Sequence, residues 1–305
     1  MAIITTSDFN VPTQLIDPWL QKVSEGSVVS QLSQAVPMKF GKGEAFTFDI
    51  GEAEYVGAGA QKGPSDLAVR HYSIGQFKFH KTVRMDEEVV WADEDHQLEA
   101  VEQVLARIQP SLSRALDFGV LHGTNPATGE RVEAMDQYLA STANVVEATG
   151  EVADLDAADA LVLGAGHVPS DLAIAPSFAA GYATKRDRDG RRIYPDLNLG
   201  VGTSVLEGHR VAVSRTVGEN GMRGVNSERT GFEMVPSGIE AFVGDFSAIR
   251  WGIQKAIPLE VIRYGDPDGQ GDLKRRNQVA FRAEVVYGWG IADLSAFAKI
   301  AAPTA

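Results

Sequence analysis

The chain has 305 residues, 44% of them hydrophobic, enough for one large domain or two smaller ones, which excludes disorder throughout. Acidic residues number 41 against 28 basic ones, a formal charge of -13, which disfavours a protein that grips nucleic-acid phosphates by charge. There is no cysteine for disulfides or thiolate metal sites, no secretory leader and no run of about 18 apolar residues, so the sequence reads as cytoplasmic with no membrane contact.

Residues 1–36 mix isolated apolar residues (Phe9, Leu15, Ile16, Trp19, Leu20) with Pro12, Pro18 and Gly26, and read as an arm that needs a partner surface. From 37 to 90 the period is two: Phe46, Phe48 and Ile50 alternate with polar residues, as do Phe77 and Phe79, implying two strands. Between them lie Gly57, Gly59, Gly63 and Pro64, a stretch built to bend. The sum is a two-stranded ribbon with a glycine-rich tip, marginal in water unless another chain stabilises it. Glu52, Glu54, Lys62, Asp66 and Arg70 place both signs of charge along it and are the candidate interface residues.

After an acidic turn at 93–95, apolar residues at Leu98, Val101, Leu105, Ile108, Leu112, Leu116 and Val120 predict the longest helix, kinked or broken near Ala106 by Pro110 and ending near Gly119 to Gly123. A loop spans 124–150. A short helix with an acidic start follows at 154–163, then a buried strand at 172–175 and a helix capped by Ser177 that runs through Tyr182 to about Lys185. Further strands are predicted at 209–214, 239–243, 248–253, 259–264 and 278–287. In the last, Val279, Phe281, Ala283, Val285 and Tyr287 share one face.

Chemical motifs come up short. Leu163-Gly-Ala-Gly-His-Val-Pro169 follows a helix-like segment rather than a strand, so it reads as a loop and not a dinucleotide fingerprint. Gly202-Thr-Ser204 lacks the second glycine of a nucleophile elbow, and Gly57 to Gly63 has the wrong spacing for a phosphate loop. Asp266-Pro-Asp-Gly-Gln-Gly-Asp272 alternates carboxylates as calcium loops do, but lacks the later glutamate and reads as a polar turn. The six histidines are dispersed. No catalytic residue, metal site or cofactor is expected. Lys185 to Arg192 interleaves acids with arginines around the turn signal Asp189-Gly190, which favours ion pairs over a nucleic-acid patch.

The second half carries ordered motifs: Asp171-Leu-Ala-Ile-Ala-Pro-Ser-Phe178, Asp189-Gly-Arg191, Tyr194-Pro-Asp196, Leu206-Glu-Gly-His-Arg-Val-Ala-Val-Ser214, Phe242-Val-Gly-Asp-Phe-Ser247, and Phe281-Arg282 with Asp293 and Ala296-Phe297. In this order they resemble the tailed-phage major capsid protein family, whose Johnson fold is shared with herpesvirus capsid floors and encapsulin compartments. Arg210 departs from the pattern, which frequently has proline there.

The resemblance implies an α+β Johnson-type fold with an N-terminal arm at 1–36, an extended β-hairpin loop at 37–90, a peripheral domain with a spine helix at 91–153, an axial domain at 154–238, and a peripheral-domain sheet and C-terminus at 239–305. It implies hexamers and pentamers of this chain closing into an icosahedral shell around double-stranded DNA in a virion, with a portal and possible decoration proteins as partners. It places Arg186, Arg188, Arg191 and Tyr194 at subunit contacts near the capsomer axis. The arm begins at Met1, which implies a separate scaffolding protein or none. Some relatives join a loop lysine to an asparagine. The polar surroundings of Lys62 and the basic neighbours of Asn277 argue against that bond here. An encapsulin-like compartment is the alternative on the same fold.

Overall fold

The computed structural model describes residues 26–50, 53–62, 67–96, 100–150, 152–197, 204–225 and 231–303. Three sheets organise it. The first is antiparallel with strand order β1-β2-β11-β10, where β1 is Gly43–Ile50, β2 Leu67–Asp86, β10 Ile249–Ile262 and β11 Gln278–Ile291. The second is mixed, β3-β12-β9-β4-β6-β5, built from β3 Val145–Glu147, β4 Asp171–Ile174, β5 Ser204–Leu206, β6 His209–Val213, β9 Ile239–Gly244 and β12 Phe297–Ala301. A hairpin of β7 Glu219–Val225 and β8 Phe232–Pro236 completes the set. The helices are α1 Val28–Leu32, α2 Glu87–His96, α3 Ala100–Asp117, α4 Ala153–Gly164, α5 Pro176–Ala183 and α6 Arg215–Gly218. The expected α+β class holds.

Strand alternation splits the interior into two cores. Ala173, Phe242 and Phe297 point from the six-stranded sheet into a core shared with Ile108, Leu112 and Leu116 of α3 and with Trp251, Tyr287 and Trp289 of the four-stranded sheet. Their neighbours Leu172, Ile174, Val243 and Ile300 face the other way, onto α4 and α5 through Leu155, Val162, Phe178 and Tyr182. Polar contacts pin the helix to the sheet. The Tyr287 hydroxyl donates to the Leu112 carbonyl at 3.1 Å, and the Trp289 indole donates to the Gln137 carbonyl at 3.2 Å.

The spine helix ends where the glycines predict. A single π turn, Phe118–His122, follows α3, and Gly123 closes it at φ 64. A side chain at Gly119 would meet the Trp289 ring at 2.5 Å, so only glycine lets the turn seat on the sheet. Pro110 does not break α3. It and Ala106 are both exposed, so the carbonyl it leaves unpaired faces water.

Several expectations need correction. The ribbon is shorter than 37–90, because Gly75 to Asp86 of β2 pair with β11 inside the four-stranded sheet. The acidic residues at 93–95 lie within α2 rather than in a turn. Ala175, not Ser177, is the N-cap of α5, with Pro176 at the first helical position where its missing N–H costs nothing. The two strands expected at 248–253 and 259–264 are one strand, β10, whose register shifts at Ile253/Lys255 and Ile257/Glu260 absorb the irregularity around Pro258. The span 239–305 serves both large sheets, since β9 and β12 join the six-stranded one. The arm's expected apolar residues Phe9, Leu15, Ile16, Trp19 and Leu20 lie outside the described residues, while its described end contains α1, whose Val28, Val29 and Leu32 are buried against the chain's own core.

Candidate assembly surfaces

The ribbon is β1 paired with the first part of β2, from Gly43 opposite Ile74 to Ile50 opposite Leu67. Alternation puts Phe46 and Phe48 on one face, and the register sets His71 opposite Phe46 and Val69 opposite Phe48. The two phenylalanine rings meet edge-on at 5.1 Å, and His71 lies 6.5 Å from Phe46. This strip stays in water, with Phe46 58% and Phe48 56% exposed.

The predicted ribbon charges are not brought together. Glu54 and Lys62 are exposed, and neither forms an ion pair among the described residues. Arg70 stands opposite Thr47 in the register. Glu52 and Asp66 lie outside the described residues. Sequence reasoning alone does not find the aromatic strip as a surface feature, because Phe46-Thr-Phe48 signals a strand without saying whether its apolar face is covered.

The loop after α5 is held by its own backbone. The Asp187 carboxylate accepts the N–H groups of Asp189 at 2.9 Å and Arg191 at 2.8 Å, so this acid is used in the turn rather than in an ion pair. Arg186 donates to the carbonyls of Ala183 at 3.0 Å and Lys185 at 3.1 Å, closing the end of α5. Tyr194 is half-buried, its ring 5.7 Å from Tyr182, and burial together with its hydrogen bond to Glu207 pushes its hydroxyl pKa up. Arg188, Arg191 and Arg192 are exposed without an acidic partner among the described residues. Of the four predicted residues, then, Arg186 and Tyr194 shape the loop while Arg188 and Arg191 point outward.

The buried polar groups serve structure. The Asp117 carboxylate accepts from the N–H groups of Val28 and Val29, both at 3.1 Å, from the Thr216 hydroxyl at 2.9 Å and from the Ser27 hydroxyl. Burial pushes its carboxyl pKa up, and those four hydrogen bonds pull it back. His122 donates from Nε2 to the Thr216 carbonyl at 2.8 Å, and burial lowers its pKa to about 4, keeping the ring neutral.

The calcium-like loop closes on a guanidinium instead. Arg84 contacts Asp266 and Asp268 and donates to the Gly271 carbonyl at 3.0 Å, while Arg282 donates to the Pro267 carbonyl at 2.6 Å. His167, Asp293 and Ser295 cluster without forming a catalytic relay. Ser295 Oγ at 3.3 Å and Asp293 at 3.6 Å meet the same Nε2, whereas a relay needs the carboxylate on the other ring nitrogen. No group of metal-binding side chains occurs among the described residues.

Comparison with known proteins agrees with this geometry. The Phage capsid family is matched over residues 8–302. A solved structure from Mycobacterium phage Ogopogo is similar at TM-score 0.75 and 38% identity, covering 99% of this chain and 100% of that one. One from Gordonia phage Cozz is similar at 0.73 and 28%, covering 98% and 93%. The capsid of an empty GTA particle shares the fold at TM-score 0.55 and 14% identity, covering 92% and 90%. No curated protein sequence matches the chain.

Proposed function

The chain belongs to the phage capsid family, and we propose that its copies form hexamers and pentamers that close an icosahedral shell around the double-stranded DNA of a tailed phage. It is a major capsid protein, a structural subunit of the virion that assembles with itself. The compartment alternative is not favoured, since the similar structures come from phage and GTA particles.

The observation that carries the assembly reading is the ribbon. A two-stranded sheet is marginal by itself, and this one keeps Phe46 and Phe48 in water, so a neighbouring copy is the natural cover. In this reading the four-stranded sheet and α3 form the peripheral domain and the six-stranded sheet with α4 and α5 forms the axial domain. Glu52, Glu54, Lys62, Asp66 and Arg70 then border the ribbon contact, while Arg186, Arg188, Arg191 and Tyr194 approach the capsomer axis, where the unpaired arginines meet acids of the next copy. A separate scaffolding protein and a portal complete the particle, assembled in the host cytoplasm.

Sedimentation and electron microscopy of protein co-expressed with its scaffold test this. Closed particles with fivefold and sixfold capsomers are expected. A stable monomer or dimer as the sole species would sink the reading, and normal shells from a chain lacking Gly57 to Gly63 would remove the ribbon tip from it.

A further inference from the structure

We propose that residues 27–36 form a strap tying the two large sheets together, anchored permanently at its start by Asp117 and held releasably at its middle by Arg210. The strap's helix, α1, has only five residues, too few to hold itself. The Val28 and Val29 N–H groups and the Leu32 carbonyl are instead satisfied from far along the chain. At the start, Asp117 at the end of α3 takes the N–H groups of Val28 and Val29 and the Ser27 hydroxyl. At the end, the Arg210 guanidinium on β6 donates to the Leu32 carbonyl.

Arg210 is itself held by the sheet. It sits directly opposite Asp171 of β4 in the parallel register, and its Nε and Nη2 lie 2.8 Å and 2.7 Å from Asp171 Oδ1. The other Asp171 oxygen accepts from the Ser170 hydroxyl at 2.8 Å and the Phe246 N–H at 3.3 Å. Beyond α1 the strap crosses to the four-stranded sheet. The Ser33 hydroxyl donates to the Ile249 carbonyl at 2.9 Å, and the Val36 N–H donates to the Trp251 carbonyl at 2.8 Å. Ten residues therefore touch the spine helix, β6 and β10.

The two holds differ in their access to water. Asp117 is fully buried, so nothing competes for its hydrogen bonds, whereas the Arg210 side chain is 49% exposed and water and salt compete for it. When the six-stranded sheet turns relative to the four-stranded one, the Arg210 contact gives first and the Asp117 contact keeps the strap attached. On the capsid reading, such a turn fits one chain into both fivefold and sixfold rings. The strap itself does not depend on that reading.

Residue-resolved amide exchange on the full-length subunit tests the asymmetry. In Arg210→Gln, the Ser33 and Val36 amides, bonded to Val29 and Trp251, should exchange about tenfold faster or more while Val28 and Val29 keep their protection. Arg210→Lys should fall between. In Asp117→Asn the order should reverse, with Val28 and Val29 losing protection first. If Arg210→Gln unfolds, concentrated salt on the unaltered protein replaces it and should loosen Ser33 and Val36 alone. Unchanged exchange, or an equal rise at both ends, overturns the proposal. Failure to form shells leaves this exchange pattern in place and counts only against the capsid assembly reading.

Discussion

Phe46-Thr-Phe48 and Phe77-Lys-Phe79 are near-identical local patterns with opposite fates. Phe77 lies 4.0 Å from the Trp289 ring and Phe79 lies 6.0 Å from Tyr287, both packed against the first core. Phe46 and Phe48 remain more than half exposed. β2 takes part in both regions, first as the partner of β1 and then, from Gly75, as the partner of β11. Period-two alternation specifies a strand with two faces, but what covers a face depends on elements elsewhere, and in the ribbon the described residues of this chain supply no cover.

Substitutions in the two regions should separate folding from assembly. Trp289, on which both core phenylalanines rest, is buried, and Trp289→Ala should destabilise the subunit by about 3–5 kcal/mol. The double variant Phe46→Ser, Phe48→Ser should change subunit stability by no more than about 0.5 kcal/mol yet abolish closed shells. Thermal melting and electron microscopy on the same samples decide it. A serine pair that melts as early as Trp289→Ala would erase the distinction between the regions.

The core side also carries a pH signature. His122 has its pKa lowered by burial to about 4 from 6.5, so the unfolded chain takes up a proton that the folded one refuses. Its contribution is fully present above pH 6.5 and is lost as pH falls toward 4, by at most roughly 3 kcal/mol for a shift of this size. Asp117 works in the opposite sense, since burial raises its carboxyl pKa and protonation then favours the folded state. Comparing the unaltered protein with His122→Gln isolates the histidine: denaturant midpoints should fall more steeply between pH 6.5 and 4 in the protein that retains it. Parallel pH profiles would exclude this role.

These contrasts mark how far the sequence could be read. The C-terminal strand was legible because Val279, Phe281, Ala283, Val285 and Tyr287 alternate along it and are all buried, the last three in the first core. The spine helix was legible from Ile108 to Val120, since a long amphipathic stripe needs no knowledge of its partner. α1 was not, because its Val28 and Val29 N–H groups and its Leu32 carbonyl are satisfied by residues 89, 88 and 178 positions away. β10 was read as two strands because Pro258 interrupts the local pattern, while pairing with β11 continues past it. At the candidate surfaces the charged residues were visible, but not that Asp187 is consumed by backbone N–H groups, which only the folded turn reveals.

Surface charge should matter less than either core contact or aromatic strip. Arg188, Arg191 and Arg192 are exposed, and an exposed pair with a neighbour contributes only about 0–1 kcal/mol, repeated around the shell. Shell melting should therefore fall by a few degrees between low and high salt while the isolated subunit hardly moves. Equal salt sensitivity in shell and subunit would place the effect within the chain and remove these arginines from the interface.

The smallest expected effect is none at all. Joining Lys62 to an asparagine as an isopeptide requires an uncharged amine that attacks the side-chain amide carbon and expels ammonia, held in a dry pocket beside a carboxylate that acts as base. Lys62 is exposed at the ribbon tip, so its own chain provides no such pocket among the described residues. Asn277 caps a short turn at φ 54 beside Lys274, Arg275 and Arg276, with no adjacent acid in the sequence to act as base. Forming the bond would need a neighbouring copy to bury the ribbon tip and supply the asparagine and the base together. Covering the apolar strip at Phe46 and Phe48 does not demand that, because the strip lies along the strands and away from the tip. Shells boiled in detergent should run as one band near 32.7 kDa, and Lys62→Ala should leave that pattern and the shell yield unchanged. A ladder that survives boiling and vanishes in Lys62→Ala would show that the neighbour encloses the tip as well as the strip.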